Sequence, residues 1–280
     1  MHLRLVFGRQ GVDIEPDNQG ASLQDIVFRR CVSIDNYGNG FEAALSQLDP
    51  DIDPPVQITF EDCHAVWSAG FSWEKDYVSR ETNVAGFSVG GPKVGGSVSV
   101  IGGSVTNSAG AGLCVIDALG PTVSFSGVDL FGTANHPDDG QNKGMVAAPI
   151  HLIDEVGGMR AVYLNNIVVH QLGASGPALR YDAVSCAGCA NATSLRGSTI
   201  FVRPSANATV DAGCGATSAI ATLDGQPSAG ELFGKHVFEN LSIVCCTQHY
   251  LAAHPHDWQS YDGCRTPLAQ AVLKRGEMFV

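Results

Sequence analysis

The sequence has 280 residues, of which 33 are glycine and only 16% are charged. Such a composition is typical of short strands joined by tight turns and is poor in long helix-forming stretches, so we expect an all-β chain. The formal net charge of −12, with 16 basic residues spread thinly, argues against nucleic-acid binding, and no run approaches the roughly 18 apolar residues of a transmembrane helix.

The chain opens on the segment MHLRLVF, which is too short for a signal peptide because it has no long apolar region and no small-residue cleavage site. The next segment, GRQGVDIEP, begins like the middle of a repeat array. We therefore expect a trimmed chain whose first coil needs a cap or a partner, since an exposed coil end is an unpaired edge.

A five-residue pattern recurs from residue 11: glycine, a large apolar residue, any residue, an apolar residue, any residue. Its copies begin at Gly11, Gly40, Gly70, Gly86 and Gly112, and looser copies lie at 150–152 and 179–181. The step from Gly70 to Gly86 is too short for a full coil, so we expect one of these two copies in an inserted loop.

A second alternating strand lies between successive copies, at residues 26–28, 58–60, 98–100, 123–125 and 162–164. A period of two buries one face of each strand, and repetition every 25 to 40 residues or so is what stacked coils need, because one coil cannot bury its apolar face alone. Like residues should then stack, with Cys31 over Cys63 and Phe28 over Phe60. A β-sandwich or a propeller also has short strands, but it would not repeat the same signature at the same phase.

The alternation, with turns such as NYGNGF and NSAGAGL, resembles the repeats of right-handed parallel β-helix proteins, the pectate-lyase-like superfamily. The resemblance is clearest in the segment GVDIEPDNQGASLQDIVFRRCVSIDNYGNGF and extends from about Gly11 to Tyr181. It implies an all-β, right-handed parallel β-helix solenoid with a saccharide polymer as partner. We assign residues 1–182 to its coils and residues 183–280 to further coils or a cap.

Cysteine is concentrated in the last third of the chain, where six of the nine lie: Cys186, Cys189, Cys214, Cys245, Cys246 and Cys264. We interpret this region as disulfide-stapled. A zinc site is the alternative for Cys186 and Cys189, but no second pair of ligands follows at the usual spacing. Glycosylation sequons begin at Asn191, Asn207 and Asn240. Together these features predict a secreted or extracellular protein.

The first pentad carries a pair of acids. If Val12 and Ile14 face inward, Asp13 and Glu15 face outward with Cα atoms about 6.6 Å apart. Such a pair is compatible with an acid and a base acting across a glycosidic bond, with a calcium site, and with ordinary solvated carboxylates. The same register predicts a column above Asp13 of Glu42, Ser72, Ser88, Cys114, His151 and Arg180, with Glu74 and Asp182 joining Glu15.

These columns predict a groove that is acidic at its first coils and more basic at its later ones. We therefore expect Glu42, Glu74 and His151 to contact substrate, along with two residues of the predicted turn HAVWSAG. In that turn, the indole of Trp67 offers a flat saccharide platform, and His64 beside it can act as a general base. A structural turn residue is the more common role of a lone histidine.

Two functions follow from this interpretation. The first is a polysaccharide lyase or glycoside hydrolase, with Asp13 and Glu15 as its catalytic residues. The second is a non-catalytic extracellular module for glycan binding, adhesion or cell-wall structure, because no compact set of acid, base and cation ligands stands out in the sequence.

Overall fold

The computed structural model describes residues 4–6, 10–17, 20–36, 38–68, 84–91, 93–133, 148–154, 159, 162–171, 179–183, 194–196, 199–202, 220–222, 237–239, 241–245, 270–274 and 277–279. Before residue 10 and after residue 170 the description covers the strand backbones, and of the side chains there only that of Leu179. All the regular secondary structure in these ranges is strand.

The strands are β1 (Arg4–Val6), β2 (Val12–Ile14), β3 (Ile26–Arg29), β4 (Val32–Ile34), β5 (Phe41–Ala44), β6 (Val56–Glu61), β7 (His64–Val66), β8 (Ala85–Gly90), β9 (Gly96–Ile101), β10 (Ser104–Thr106), β11 (Ala111–Ile116), β12 (Thr122–Ser126), β13 (Asp129–Phe131), β14 (Ile150–Asp154), β15 (Val162–Asn165), β16 (Val168–Gln171), β17 (Leu179–Ala183), β18 (Ser194–Arg196), β19 (Thr199–Val202), β20 (Ile220–Thr222), β21 (Val237–Glu239), β22 (Leu241–Cys245), β23 (Gln270–Lys274) and β24 (Glu277–Phe279).

These strands form three sheets, each of which takes every third strand along the coils. Sheet A has the order β1-β4-β7-β10-β13-β16-β19-β22-β23-β24, sheet B the order β2-β5-β8-β11-β14-β17-β20, and sheet C the order β21-β18-β15-β12-β9-β6-β3. Coil neighbours such as β5 and β8 pair in parallel, whereas β23 pairs antiparallel with both β22 and β24. A chain that visits sheets C, A and B in turn is a parallel β-helix-like solenoid.

The core lies between the three sheets, because every second side chain of a strand points inward. In β6, for example, Val56, Ile58 and Phe60 are buried while Gln57 is exposed. The predicted stacks are confirmed: Phe28 and Phe60 have ring centroids 5.4 Å apart, and the register places Cys31 beside Cys63. Burial, and to a smaller extent the neighbouring thiol of Cys31, raises the pKa of Cys63 to about 11.

Pentad glycines such as Gly40 and Gly86 lie at the corner where sheets A and B meet. A Cβ atom on Gly40 would lie 2.6 Å from the Cβ of Ala65, and one on Gly86 would lie 2.3 Å from Cγ1 of Val105. Both distances are too short for real carbon contacts, so a side chain here would push the two sheets apart. The pentad glycines are therefore needed for close packing of this corner.

Strand pairing shows which of the two copies, the one at Gly70 or the one at Gly86, belongs to the regular stack. Strand β5 pairs directly with β8, so the copy that begins at Gly86 belongs to the regular stack. The copy that begins at Gly70 lies outside the described residues, as do Ser72 and Glu74.

Sheet A consists of short strands that the sequence pattern does not predict. The segment HAVWSAG, interpreted above as a turn, contains strand β7 from His64 to Val66, and only then does the chain turn at Trp67. Strands β4, β7, β10 and β13 each have one buried residue between two outward ones, as in His64, Ala65 and Val66. Sheet A therefore presents two outward columns of side chains.

The strands after residue 183 extend all three sheets, since β18, β19 and β20 each pair in parallel with a strand of the previous coil. The cysteine side chains of this region and the three sequon asparagines lie outside the described residues. Both the boundary at residues 182 and 183 and the disulfides stay predictions.

Candidate functional site

The outward column of sheet B has the predicted register except that Glu42 pairs directly with Ser88, so Ser72 is not part of it. Backbone pairing places Asp13 beside Glu42, Glu42 beside Ser88, Ser88 beside Cys114, Cys114 beside His151, and His151 beside Arg180. The second predicted column is different, because the positions between Glu15 and Asp182 are Ala44, Gly90, Ile116 and Ile153. Acids therefore do not continue up the sheet from Glu15.

Burial divides the first column into two parts. Asp13 is exposed and Glu42 is half-buried, accepting a hydrogen bond from Nε2 of Gln10. By contrast Ser88, Cys114 and His151 are buried, with exposed fractions of 3%, 0% and 3%. Only the first two coils of this column thus present carboxylates to solvent, and the imidazole of His151 is out of reach of a bound polymer in this structure.

No metal-binding cluster is found among the described side chains, in that no three or more His, Cys, Asp and Glu residues are grouped to hold an ion. A calcium ion takes six to eight oxygen ligands, of which Asp13 and Glu15 would supply a minority. Calcium at Asp13 and Glu15 stays a prediction.

A second group of polar residues lies on the outward face of sheet A. The register places His64, Ser104 and Asp129 one above another on β7, β10 and β13. The ring atom Nδ1 of His64 lies 2.9 Å from Oγ of Ser104, and Nε2 lies 3.6 Å from Oδ1 of Asp62. We call Asp62, His64, Ser104 and Asp129 the His64 cluster.

The His64 cluster combines access to solvent with a partly buried acid. The side chains of His64 and Asp62 are 40% and 58% exposed, so a ligand can reach the imidazole. Burial raises the pKa of Asp129 above its ordinary value, because loss of water disfavours the carboxylate. The cluster thus holds a hydroxyl, an imidazole and two acids in different surroundings within adjacent coils.

Trp67 follows the His64 strand at the turn into sheet B and is 45% exposed. Its φ of 54° lies in the left-handed region, as do the angles of the stacked residues Asp35, Asn107 and Gly132 at the same turn. Asp, Asn and Gly tolerate this conformation, whereas it strains a bulky side chain by about 1 kcal/mol or more. The tryptophan therefore occupies a position where the fold itself favours a smaller residue.

The two groups of predicted site residues lie on different sheets. Asp13, Glu15 and Glu42 are on or beside sheet B at the first coils, whereas His64 and Trp67 belong to sheet A and its following turn. One joint centre containing all five residues is therefore not formed.

The outward face of sheet A also holds a stacked pair of rings. Phe131 and His170 have centroids 4.5 Å apart and planes 7° from parallel. The imidazole is buried, with 2% exposed, and this burial lowers the pKa of His170 from 6.5 to about 3. His170 is therefore a neutral packing residue at ordinary pH.

This depressed pKa predicts a loss of stability in acid. Between pH 6.5 and pH 3 the unfolded chain binds a proton at this histidine and the folded protein does not, so stability falls as pH falls. From pH 7 to pH 5 the contribution is a loss of about 2 kcal/mol. Urea unfolding of wild type and His170→Phe at both pH values should show that the variant lacks this part of the loss. An identical pH dependence in the two proteins would contradict the assignment.

Comparisons of this chain with protein-family models, with curated proteins and with solved structures give no match. The described topology by itself defines the class, a parallel β-helix-like solenoid. None of the described segments is a helix of the length and hydropathy needed to cross a membrane.

Proposed function

We propose that this protein is a secreted, carbohydrate-active member of the right-handed, pectate-lyase-like β-helix class. It binds a polysaccharide on the outer face of sheet A, where Trp67 stacks on a sugar ring and His64 contacts its hydroxyls. Secretion is supported by the six cysteines and three sequons of the last third of the sequence.

The observation that carries this proposal is the strained, exposed tryptophan. An indole offers a large apolar face with one polar edge, which suits the apolar face of a pyranose ring. Strained residues cluster at binding sites, where a local cost in stability is accepted for function. Trp67 has this character, whereas the corresponding turn positions hold Asp35, Asn107 and Gly132.

The charge of the region favours a neutral polysaccharide. Asp62 and Asp129 flank His64 and Ser104, and the whole chain carries a net charge of −12. A uronate polymer would be repelled here unless cations bridged it to the protein. We therefore place neutral, hydroxyl-rich glycans ahead of polyuronates as ligands.

Replacing Trp67 by asparagine tests the platform. Asn adopts the left-handed conformation readily, so the free energy of unfolding should stay the same or rise by up to about 1 kcal/mol. Affinity for any polysaccharide that the wild-type protein binds should fall roughly tenfold or more, because an anchoring aromatic residue is removed. Affinity electrophoresis on a panel of neutral and uronate polysaccharides measures binding, and urea unfolding measures stability.

The matched control is Tyr163→Asn, which removes an aromatic side chain of similar exposure, 40%, from the outer face of sheet C. It should leave polysaccharide affinity unchanged. The proposed site would be ruled out if affinity fell in the Tyr163 variant but not in the Trp67 variant. It would also be ruled out if the wild-type protein bound no polysaccharide of the panel.

Glycosidic cleavage at the first coils is a second candidate function, favoured by the pairing of Asp13 with Glu42 on the outer face of sheet B. Two adjacent carboxylates can act as acid and base or as acid and nucleophile. Reducing ends and unsaturated uronates should be assayed on the same panel for wild type, Asp13→Asn, Glu15→Gln and Glu42→Gln. Binding by wild type with no release of reducing ends or unsaturated uronates would rule out glycosidic cleavage at this pair.

A further inference from the structure

We propose that the His64 cluster hydrolyses acyl esters on saccharide hydroxyls, with Ser104 as the nucleophile and His64 as its base. This inference rests on the polysaccharide binding proposed above and adds a reaction to it. The chemical class of substrate is a neutral polysaccharide that carries short acyl groups, such as acetyl, on its hydroxyls.

The geometry of the imidazole is the first support. Its two nitrogens face different partners: Nδ1 is 2.9 Å from Oγ of Ser104, and Nε2 is 3.6 Å from Oδ1 of Asp62. The tautomer with hydrogen on Nε2 is favoured by the Asp62 carboxylate and leaves Nδ1 to accept the proton of the serine hydroxyl. A nucleophile, a base and an orienting acid in this order are what acyl transfer requires.

The backbone before Ser104 is the second support. Gly102 and Gly103 both adopt left-handed conformations, with φ of 70° and 88°. A Cβ atom on Gly103 would lie 2.0 Å from the carbonyl oxygen of Cys63, so only glycine fits there. In the neighbouring coils a single left-handed residue, Asp62 or Gly127, makes this turn. Two successive left-handed glycines thus precede Ser104, where the neighbouring coils have one left-handed residue.

A serine pair elsewhere on the solenoid shows what an ordinary surface contact looks like. On sheet C, Oγ of Ser124 donates a hydrogen bond of 3.0 Å to Oγ of Ser99. Among the described residues no imidazole or carboxylate contacts either hydroxyl, so this pair has no base to take up a proton. Ser99 is accordingly a matched control for Ser104.

The reaction balances with water as the only co-substrate. Oγ of Ser104 attacks the ester carbonyl carbon, its proton passes to Nδ1 of His64, and a new Oγ–C bond forms. The bond from that carbon to the sugar oxygen breaks, and the imidazolium returns the proton to the leaving sugar hydroxyl. Water then attacks the acyl-serine with the same base, which releases the carboxylic acid and restores Ser104.

Asp129 lies on the other side of Ser104 from His64. Partial burial raises the pKa of Asp129, and in its protonated form the O–H group would donate a hydrogen bond to the oxyanion that develops during attack. An amide at this position keeps a donor, so Asp129→Asn should retain most of the activity and Asp129→Ala should lose it.

Acetate release from acetylated xylan by the full-length protein tests the proposal, with p-nitrophenyl acetate as a second probe. The variant Ser104→Ala should lower kcat/KM at least about 1000-fold, and His64→Gln should do the same, while Ser99→Ala stays within about twofold of wild type. A fluorophosphonate reagent should label wild type at Ser104, as located by peptide mass spectrometry. Deacetylated xylan should bind Ser104→Ala as tightly as wild type.

The outcomes separate this proposal from the binding function. The esterase proposal would be overturned if wild type bound xylan without releasing acetate, or if Ser104→Ala kept full activity. Neither result would contradict polysaccharide binding at Trp67. Wild type that binds neither form of xylan nor any polysaccharide of the panel would overturn the proposed function itself. If Ser104→Ala fails to fold, labelling of wild type and the kinetics of His64→Gln decide the question.

Discussion

Replacement of Gly86 by alanine is expected to lower the free energy of unfolding by about 3 kcal/mol. The added Cβ would lie 2.3 and 2.5 Å from the two methyl carbons of Val105, which belongs to sheet A in the next coil. Relief requires either a rotamer change of a fully buried valine or separation of the two sheets. Urea unfolding followed by circular dichroism measures the loss.

The same strand supplies the control. Gly90 ends β8, and a Cβ atom added there would meet nothing within 4 Å. We expect Gly90→Ala to change stability by no more than about 0.5 kcal/mol, or to stabilise slightly by restricting the unfolded chain. Equal effects of the two substitutions, or wild-type stability for Gly86→Ala, would show that the corner between sheets A and B is not packed as described.

Truncation of Phe60 to alanine is expected to cost about 4 kcal/mol. Phe60 is fully buried where three aromatic rings meet it, with centroids 5.4 Å away for Phe28, 5.6 Å for Phe41 and 6.0 Å for Phe87. Removing the ring leaves a cavity bordered by aromatic rings of two successive coils, and the rigid stack can collapse around it only partly.

Two further variants calibrate the Phe60 measurement. Phe60→Leu keeps most of the volume and should cost about 1.5 kcal/mol or less. Val27→Ala, at a position 53% exposed on the neighbouring strand β3, should stay within about 0.5 kcal/mol of wild type. A loss for Phe60→Ala no larger than that for Val27→Ala would mean that the aromatic stack is not the centre of the core.

Sequence reasoning predicts the sheets whose strands carry a repeated apolar pair. Strands of sheet B are recognised in the sequence by a leading glycine. Strands of sheet C are recognised by two apolar residues separated by one position, as in Ile58 and Phe60. Their register follows because a shift by one residue would turn the apolar side chains outward. The column from Asp13 to His151 was therefore predicted correctly apart from Ser72, because Glu42 pairs directly with Ser88.

The strands of sheet A could not be predicted in this way. A three-residue strand buries a single side chain, so it shows no alternation of apolar and polar residues. Ser104 and Asp129 were missed for the same reason. A signal does exist, since each outward residue of this column follows the second apolar residue of a sheet C strand by four positions: Phe28 and Val32, Phe60 and His64, Val100 and Ser104, Phe125 and Asp129. Aligning coils on sheet C would have placed His64, Ser104 and Asp129 together.

The sequence pattern also does not predict which outward side chains of sheet B are buried. Cys114 and Ile153 point outward yet pack in an apolar group with Ala85 and Ala111. An outward position on a solenoid strand is exposed only where nothing covers it, and the repeat contains no information about cover. Ser88, Cys114 and His151 of the predicted groove are buried for this reason.

The central claim is that parallel stacking brings His64, Ser104 and Asp129 onto neighbouring strands in register. Scalar couplings across backbone hydrogen bonds, measured by NMR on the isotope-labelled protein, test it directly. The structure predicts couplings from the amide of His64 to the carbonyl of Cys31, from that of Ser104 to Cys63, and from that of Asp129 to Gly103, across N–O distances of 2.9, 3.1 and 3.2 Å. Couplings from these amides to other carbonyls would contradict the stacking, and with it the His64 cluster.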